Sequence, residues 1–162
     1  MEIVADLECL NKMFNAGGLG SLCELFGNPT WLISPSAFRE MKKYKNKDEN
    51  LFSNFHIHSP KLEYRERELI SKWRKKIQYI SKKEIEAIAI AKNRGIRYLV
   101  YESHGGKICS LLGVQYMNLP MALKALWAKK IITKKQVWEI INNLEKNEKI
   151  KFDDVDAIFA QN

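Results

Sequence analysis

Asp6 closes a short apolar run, Glu2-Ile3-Val4-Ala5, and Glu102 closes another, Tyr98-Leu99-Val100-Tyr101. If those two segments are neighbouring parallel strands, both carboxylates emerge at one edge of a sheet. Two like charges held together repel, and a divalent cation is a common remedy. Two more acids can join them: Glu40, in a helix after Ser34-Pro35, and Glu84, in the first turn of a helix after Ser81. Four carboxylates without a Cys or His partner form a hard oxygen set, which suits Mg²⁺ or Mn²⁺ rather than zinc. In a basic chain that set points to phosphodiester hydrolysis, with a metal activating water and stabilising the leaving oxygen. Each helical acid also has a plainer reading. Ser81-Lys82-Lys83-Glu84 is a capping box, in which Glu84 bonds back to the helix start, and Glu40 can be a solvated residue beside Lys42 and Lys43.

The charge balance is compatible with such a substrate. Lys and Arg number 27 against 19 Asp and Glu, a formal net charge of +8. Such an excess favours a polyanionic partner, because each phosphate neutralised releases counterions. Composition is otherwise that of a globular protein: 162 residues, 46% hydrophobic and 28% charged, with 8 Gly and 4 Pro. That excludes a disordered or collagen-like chain. The three cysteines, Cys9, Cys23 and Cys109, are odd in number and form no C-x-x-C pair, as suits a reducing compartment without structural zinc. The start Met1-Glu2-Ile3-Val4-Ala5-Asp6 has no basic and apolar leader pattern. Apolar runs such as Ala87–Ala91 fall far short of the ~20 residues of a membrane helix. The expectation is a soluble, cytoplasmic protein that does not engage membranes.

The elements that must position the acids are read from punctuation and periodicity. Strands are expected at Glu2–Ala5, Thr30–Ile33, Phe55–His58, Arg97–Tyr101 and Val114–Met117. Between them lie helices at Leu19–Phe26 (stopped by Gly27), from Ser34-Pro35 through Phe38, Met41 and Tyr44, at Leu62–Lys76, at Ser81–Arg94 (closed by Gly95) and at His104–Leu112 (stopped by Gly113). A helical stretch also follows Asp6, and Asn46–Asn54 reads as a polar surface loop. The remainder is helical: Leu119–Lys129, Lys134–Asn147 opened by Thr133, and Asp153–Ala160. Alternating strands and helices predict an α/β fold, a three-layer α/β/α sandwich on a short, mostly parallel sheet. In such sheets ligands bind in the crevice at the carboxyl ends of the strands.

The order of these segments resembles the PIN-domain nucleases, in particular stand-alone prokaryotic PIN proteins akin to toxin ribonucleases. Val4-Ala5-Asp6 corresponds to that family's first strand and acid. Ile33-Ser34-Pro35-Ser36-Ala37-Phe38-Arg39-Glu40 resembles its apolar-Pro segment leading to a helical acid, and Glu84-Ile85-Glu86-Ala87-Ile88-Ala89-Ile90-Ala91 its Glu-rich helix. Tyr98-Leu99-Val100-Tyr101-Glu102 resembles the fourth strand, and Leu119–Ile132 the C-terminal helix and turn. The similarity spans about residues 2–135. It implies one PIN-like domain over 1–162, with the helices from about 134 appended. It further implies an Mg²⁺- or Mn²⁺-dependent endoribonuclease, with Asp6, Glu40, Glu84 and Glu102 as catalytic metal ligands and RNA as substrate. A small antitoxin-like protein and a second copy of the chain are the partners it suggests. Two positions depart from the pattern: Glu102 and Ser103 stand where the family usually has Asp, and Leu7-Glu8 follows the first acid in place of a small hydroxyl residue. The extra methylene of Glu102 changes the ligand geometry, to which Mg²⁺ is sensitive. The alternative is therefore a catalytically degenerate PIN-like module that binds RNA or protein.

Other candidates are weaker. His56 and His58 share one strand face but have no third ligand, so they read as ordinary strand residues. His104, two residues past Glu102, can touch a phosphate or simply start a helix. Gly105-Gly106-Lys107 lacks phosphate-loop spacing and reads as a helix entry. Lys72, Arg74, Lys75, Lys76, Lys82 and Lys83, interleaved with Trp73 and Tyr79, can follow an RNA backbone or form a solvated face over a buried Trp73. Lys42, Lys43, Lys45 and Lys47 can reach a substrate, diluted by Asp48 and Glu49.

Overall fold

Successive residues of the central strands point into two different cores. Ile3 and Ala5, Trp31 and Ile33, and Leu99 enter one cluster, while Val4, Leu32, Tyr98 and Val100 enter the other. Strands buried on both faces are the mark of a parallel sheet covered by helices on each side. The computed structural model describes residues 1–43, 53–101 and 103–161. Its strands are β1 (Glu2–Ala5), β2 (Thr30–Leu32), β3 (Ile57–His58), β4 (Tyr98–Val100) and β5 (Tyr116–Asn118). They form one sheet in the order β3-β2-β1-β4-β5 with every pairing parallel.

One face carries α1 (Leu7–Asn15), α2 (Leu19–Leu25), α7 (Leu119–Ala128) and α8 (Lys134–Asn147), whose Leu10, Leu22, Leu123 and Ile141 are fully buried. The other face carries α4 (Tyr64–Arg74), α5 (Lys82–Arg94) and α6 (Ser103–Leu112), through Trp73, Ile88 and Cys109. The chain is thus a three-layer α/β/α sandwich, completed by α3 (Pro35–Lys43) and the short α9 (Val155–Phe159). The helices from 134 onward do more than flank it: Val137, Ile140, Ile141 and Leu144 belong to the first core, and Asn143 donates to the Ala16 carbonyl at 3.2 Å.

Local chemistry explains the boundaries. Thr133 and Gln136 form a capping box at the start of α8, and Gly95 ends α5 at φ 64°, a left-handed conformation that costs glycine little. Some expected bounds shift. Val114 donates its N–H to the Cys109 carbonyl, so it finishes the helix and β5 begins two residues later, at Tyr116 opposite Tyr98. Only Ile57 and His58 of the expected third strand pair with β2. The helix expected over Leu62–Lys76 is trimmed to Tyr64–Arg74 because Glu63 caps it, and Asp154 likewise starts the last helix at Val155. Tyr44, Glu102 and most of the expected loop at 46–54 lie outside the described residues. The three cysteines are buried and free. Among the described residues no helix is long and apolar enough to cross a membrane.

Candidate functional site

From β1 the chain proceeds outward through β2 and β3, then returns to place β4 and β5 on the other side of β1. The reversal leaves a crevice between the carboxyl ends of β1 and β4, the place where open α/β sheets bind ligands. A pocket of about 480 Å³ opens there, and Asp6, Glu8, Glu40 and Glu84 all line it, with Lys83 among them. Val4 and Ala5 lie beside Tyr98 and Leu99, and the Asp6 N–H donates to the Leu99 carbonyl at 3.0 Å. The expected adjacency of the two acid-bearing strands is therefore present, although Glu102 itself lies outside the described residues.

Asp6 is half-buried and caps α1, its Oδ1 accepting the Glu8 N–H at 2.9 Å. Its carboxyl pKa is pushed up to about 6. Burial is the main cause, and the negative charges of Glu8 and Glu84 add to it against the capping bond. Glu40 rides on α3, which starts where Ser34 Oγ accepts the Ala37 N–H at 3.2 Å and Pro35 supplies a pre-set first residue. Its Oε2 lies 2.8 Å from Lys83 Nζ. The bond to Glu40 raises the Lys83 ammonium pKa, and Asp6 and Glu8 add to that. Glu84 does what the capping reading asked: its Oε2 accepts the Ser81 N–H at 3.0 Å and the Ser81 hydroxyl at 2.9 Å, and its own N–H donates to Ser81 Oγ at 3.2 Å. It lines the pocket at the same time, so the two readings coexist. The floor includes Tyr98, whose phenol burial raises well above its usual range, helped by Asp6 and Glu84.

The sequence reading missed the residues that hold this frame. Glu86 is buried, and its two oxygens accept the Ser36 N–H and hydroxyl at 2.8 Å each, with Arg39 at 4.0 Å. It thereby binds α5 to the first turn of α3, the helix that carries Glu40. A signal was available: Glu86 is the lone acid in a run from Ile85 to Ala91 that is buried throughout. Lys12, which donates to Tyr101 Oη at 3.2 Å and pairs with Glu8 at 3.2 Å, carried no comparable signal, and Lys83, read in the sequence as part of a basic run, pairs with Glu40 instead.

Other candidates are placed as follows. Trp73 is a core residue. Lys72, Lys75 and Lys76 line a groove of their own on α4, apart from the acidic pocket, with Arg74 exposed nearby in sequence. His104 is exposed at the start of α6 and does not line the pocket. His56 and His58 are exposed, and β3 is an edge strand. Gly105 and Gly106 are helical, and a Cβ on Gly106 would sit 2.6 Å from the Tyr116 ring, so this glycine serves packing. Lys42 lies over the Phe38 ring at 4.6 Å, whereas Lys45, Lys47, Asp48 and Glu49 lie outside the described residues.

The donor set of the pocket is all hard oxygen, which fits a magnesium-like ion in kind. Among the described residues, however, no three of His, Cys, Asp and Glu converge on one point. Nor does any buried side-chain N or O among them lack a hydrogen bond. What the pocket leaves uncompensated is charge rather than hydrogen bonding.

No protein-family profile matches the chain, and no curated protein does. Among solved structures it is similar to a PilT N-terminus (PIN) domain protein of the hyperthermophilic archaeon Sulfolobus solfataricus. The TM-score is 0.47 and the identity 16%, covering 80% of this chain and 94% of that one.

Proposed function

We propose that the chain is a metal-dependent ribonuclease acting through the pocket of Asp6, Glu40 and Glu84. One observation carries the reading: Asp6, Glu40 and Glu84, from three separate elements, line a single crevice at the carboxyl ends of β1 and β4, and Lys83 is the only base among the described residues that line it. Asp6, Glu40 and Glu84 would hold Mg²⁺ or Mn²⁺, with Glu102 as the fourth ligand that the family resemblance implies. When bound, that ion supplies an activated water and stabilises charge on the leaving oxygen.

The rest falls to the chain's own groups. Burial makes Asp6 responsive to any cation that enters, because its ionised form is the one the fold penalises. Lys83 presents an ammonium at the rim, where it neutralises Glu40 in the absence of ligand and can hold a non-bridging phosphate oxygen when substrate arrives. The Glu86–Ser36 bonds fix α3 against α5, so Glu40 and Glu84 keep their separation.

The second reading, a binding module without catalysis, rests on the two engaged acids: Glu84 is spent on its cap and Glu40 on Lys83. An RNA panel incubated with Mn²⁺, with EDTA, and with the Asp6→Asn variant decides between them. Cleavage is expected with Mn²⁺ alone and is lost in the other two arms. RNA bound but never cut would establish the binding module, and cleavage that survives both EDTA and Asp6→Asn would place the chemistry elsewhere.

A further inference from the structure

Helix α4 has two faces of opposite character. Glu66, Leu69, Ile70 and Trp73 turn inward. Tyr64, Arg67, Glu68, Ser71, Lys72 and Lys75 recur at spacings of three and four, which sets them along one outer face. With Lys76 they line a groove of about 560 Å³. A second groove, of about 710 Å³, shares Arg67 and Ser71 with the first and extends to Lys61, Lys82 and Arg39. The two are therefore continuous. Lys82 is followed in the chain by Lys83, which lines the acidic pocket, so this trough reaches the start of α5, one residue along the chain from the candidate site, with which it shares no described lining residue.

The charge in the trough is one-sided. Lys61, Lys72, Lys75, Lys76 and Lys82 are exposed and form no ion pair with any described residue, and Arg67 spends one donor on the Leu62 carbonyl. Glu86 is already satisfied by Ser36, which leaves Glu68 as the one uncommitted acid among the described residues that line the trough. Cations spread along α4 and just past its end, from Arg67 through Lys72 to Lys75 and Lys76, repel one another at a cost that a polyanion relieves. Tyr64, 70% exposed within the same groove, adds a flat aromatic surface that no core contact explains. Cations that track a backbone beside an exposed ring suit single-stranded nucleic acid, whose unpaired bases can stack.

We propose that the trough along α4 is a binding path for single-stranded RNA, which it feeds to the acidic pocket. The path rests on the ribonuclease reading for its direction, but not for its existence. The test is fluorescence anisotropy of a labelled oligouridylate in EDTA, where nothing is cut, across a salt series. Wild type is compared with the triple variant Lys72→Gln/Lys75→Gln/Lys76→Gln and with Tyr64→Ala, both checked for unchanged melting. The triple variant is expected to bind at least tenfold more weakly, with the log–log salt slope reduced by about 2, since each single-strand phosphate contact contributes roughly 0.7. Tyr64→Ala should bind about tenfold more weakly with its salt slope intact, because stacking releases no counterions. Equal affinity of wild type and the triple variant at every salt overturns the path. So does polyglutamate bound as tightly as RNA with Tyr64→Ala unaffected, which would mark the surface as a site for an acidic protein. A protein that binds through the trough yet never cleaves would sink the ribonuclease reading alone, and one that cleaves while the triple variant binds normally would sink the path alone.

Discussion

Two acids in this molecule meet burial with opposite results. Glu66 is fully buried between α4 and α5, and burial by itself would raise its pKa. Arg94 reaches it through Nε at 2.7 Å and Nη2 at 3.2 Å, Asn93 donates at 3.2 Å and the Glu63 N–H at 2.7 Å, and the net effect holds it below the usual carboxylate range. Asp6 is less buried but receives one N–H and faces two more acids, and it is pushed up to about 6. The fold gives the acid it uses for structure a directly bonded counter-charge, and leaves Asp6 at the crevice with one N–H and only the partial relief of Lys83. An acid left in that condition within a cleft is a candidate for binding or chemistry.

The largest expected effect lies on the compensated side. Glu66→Ala leaves the Arg94 guanidinium, 21% exposed, without its main partner. Removing one member of a buried pair costs about 3 kcal/mol or more, to be read by denaturant unfolding. A loss below about 1 kcal/mol would mean that Glu66 is not a clamp and would dissolve the contrast. On the uncompensated side the sign reverses. Because the folded pKa of Asp6 lies above its unfolded value, the native state binds more protons between about pH 4 and 6, and stability falls as pH rises through that window. Asp6→Asn keeps a capping oxygen and removes the penalty, so it should be more stable than wild type at pH 7 by up to about 3 kcal/mol. The gain should vanish below pH 4, and Mn²⁺ should raise the melting temperature of wild type but not of the variant. Smallest is Lys83→Met. The Glu40–Lys83 pair is half-exposed, 51% and 46%, so its loss should change stability by less than about 1 kcal/mol. The Mn²⁺ midpoint in the melting titration should nonetheless move to lower concentration, because the ammonium no longer competes for Glu40.

What could be read from the chain itself divides along the range of the interactions. Caps and stops are local, so the α5 start at Ser81, its end at Gly95 and the α8 capping box at Thr133 follow from neighbouring residues. The parallel sheet, and the strand edge at which Asp6 emerges, follow from alternation of strands and helices, and the family resemblance adds Glu40 and Glu84 to them as candidates. The partners of those acids do not. Glu86 meets Ser36 fifty positions away, Glu66 meets Arg94 twenty-eight away, and Glu40 meets Lys83 across two helices. No periodicity encodes such pairs, because each depends on how helices settle against each other after they form. Even so, a carboxylate standing alone in an apolar run, as Glu86 does, announces that some partner must exist.

The placement of β1 also bears on how the molecule comes into being. The first strand cannot acquire its β4 neighbour until the whole segment between them has been made, since Val4 lies beside Tyr98. The core beneath it is still open until α8 arrives with Ile141 and Leu144. Such pairing of distant segments is slow to nucleate, because the entropy of closing the intervening loop is lost before any contact rewards it. During translation, therefore, Asp6 waits in solvent until β4 has been made, and the crevice does not exist on a shorter nascent chain. Only a chain that already carries β4 and α8 brings its acids together.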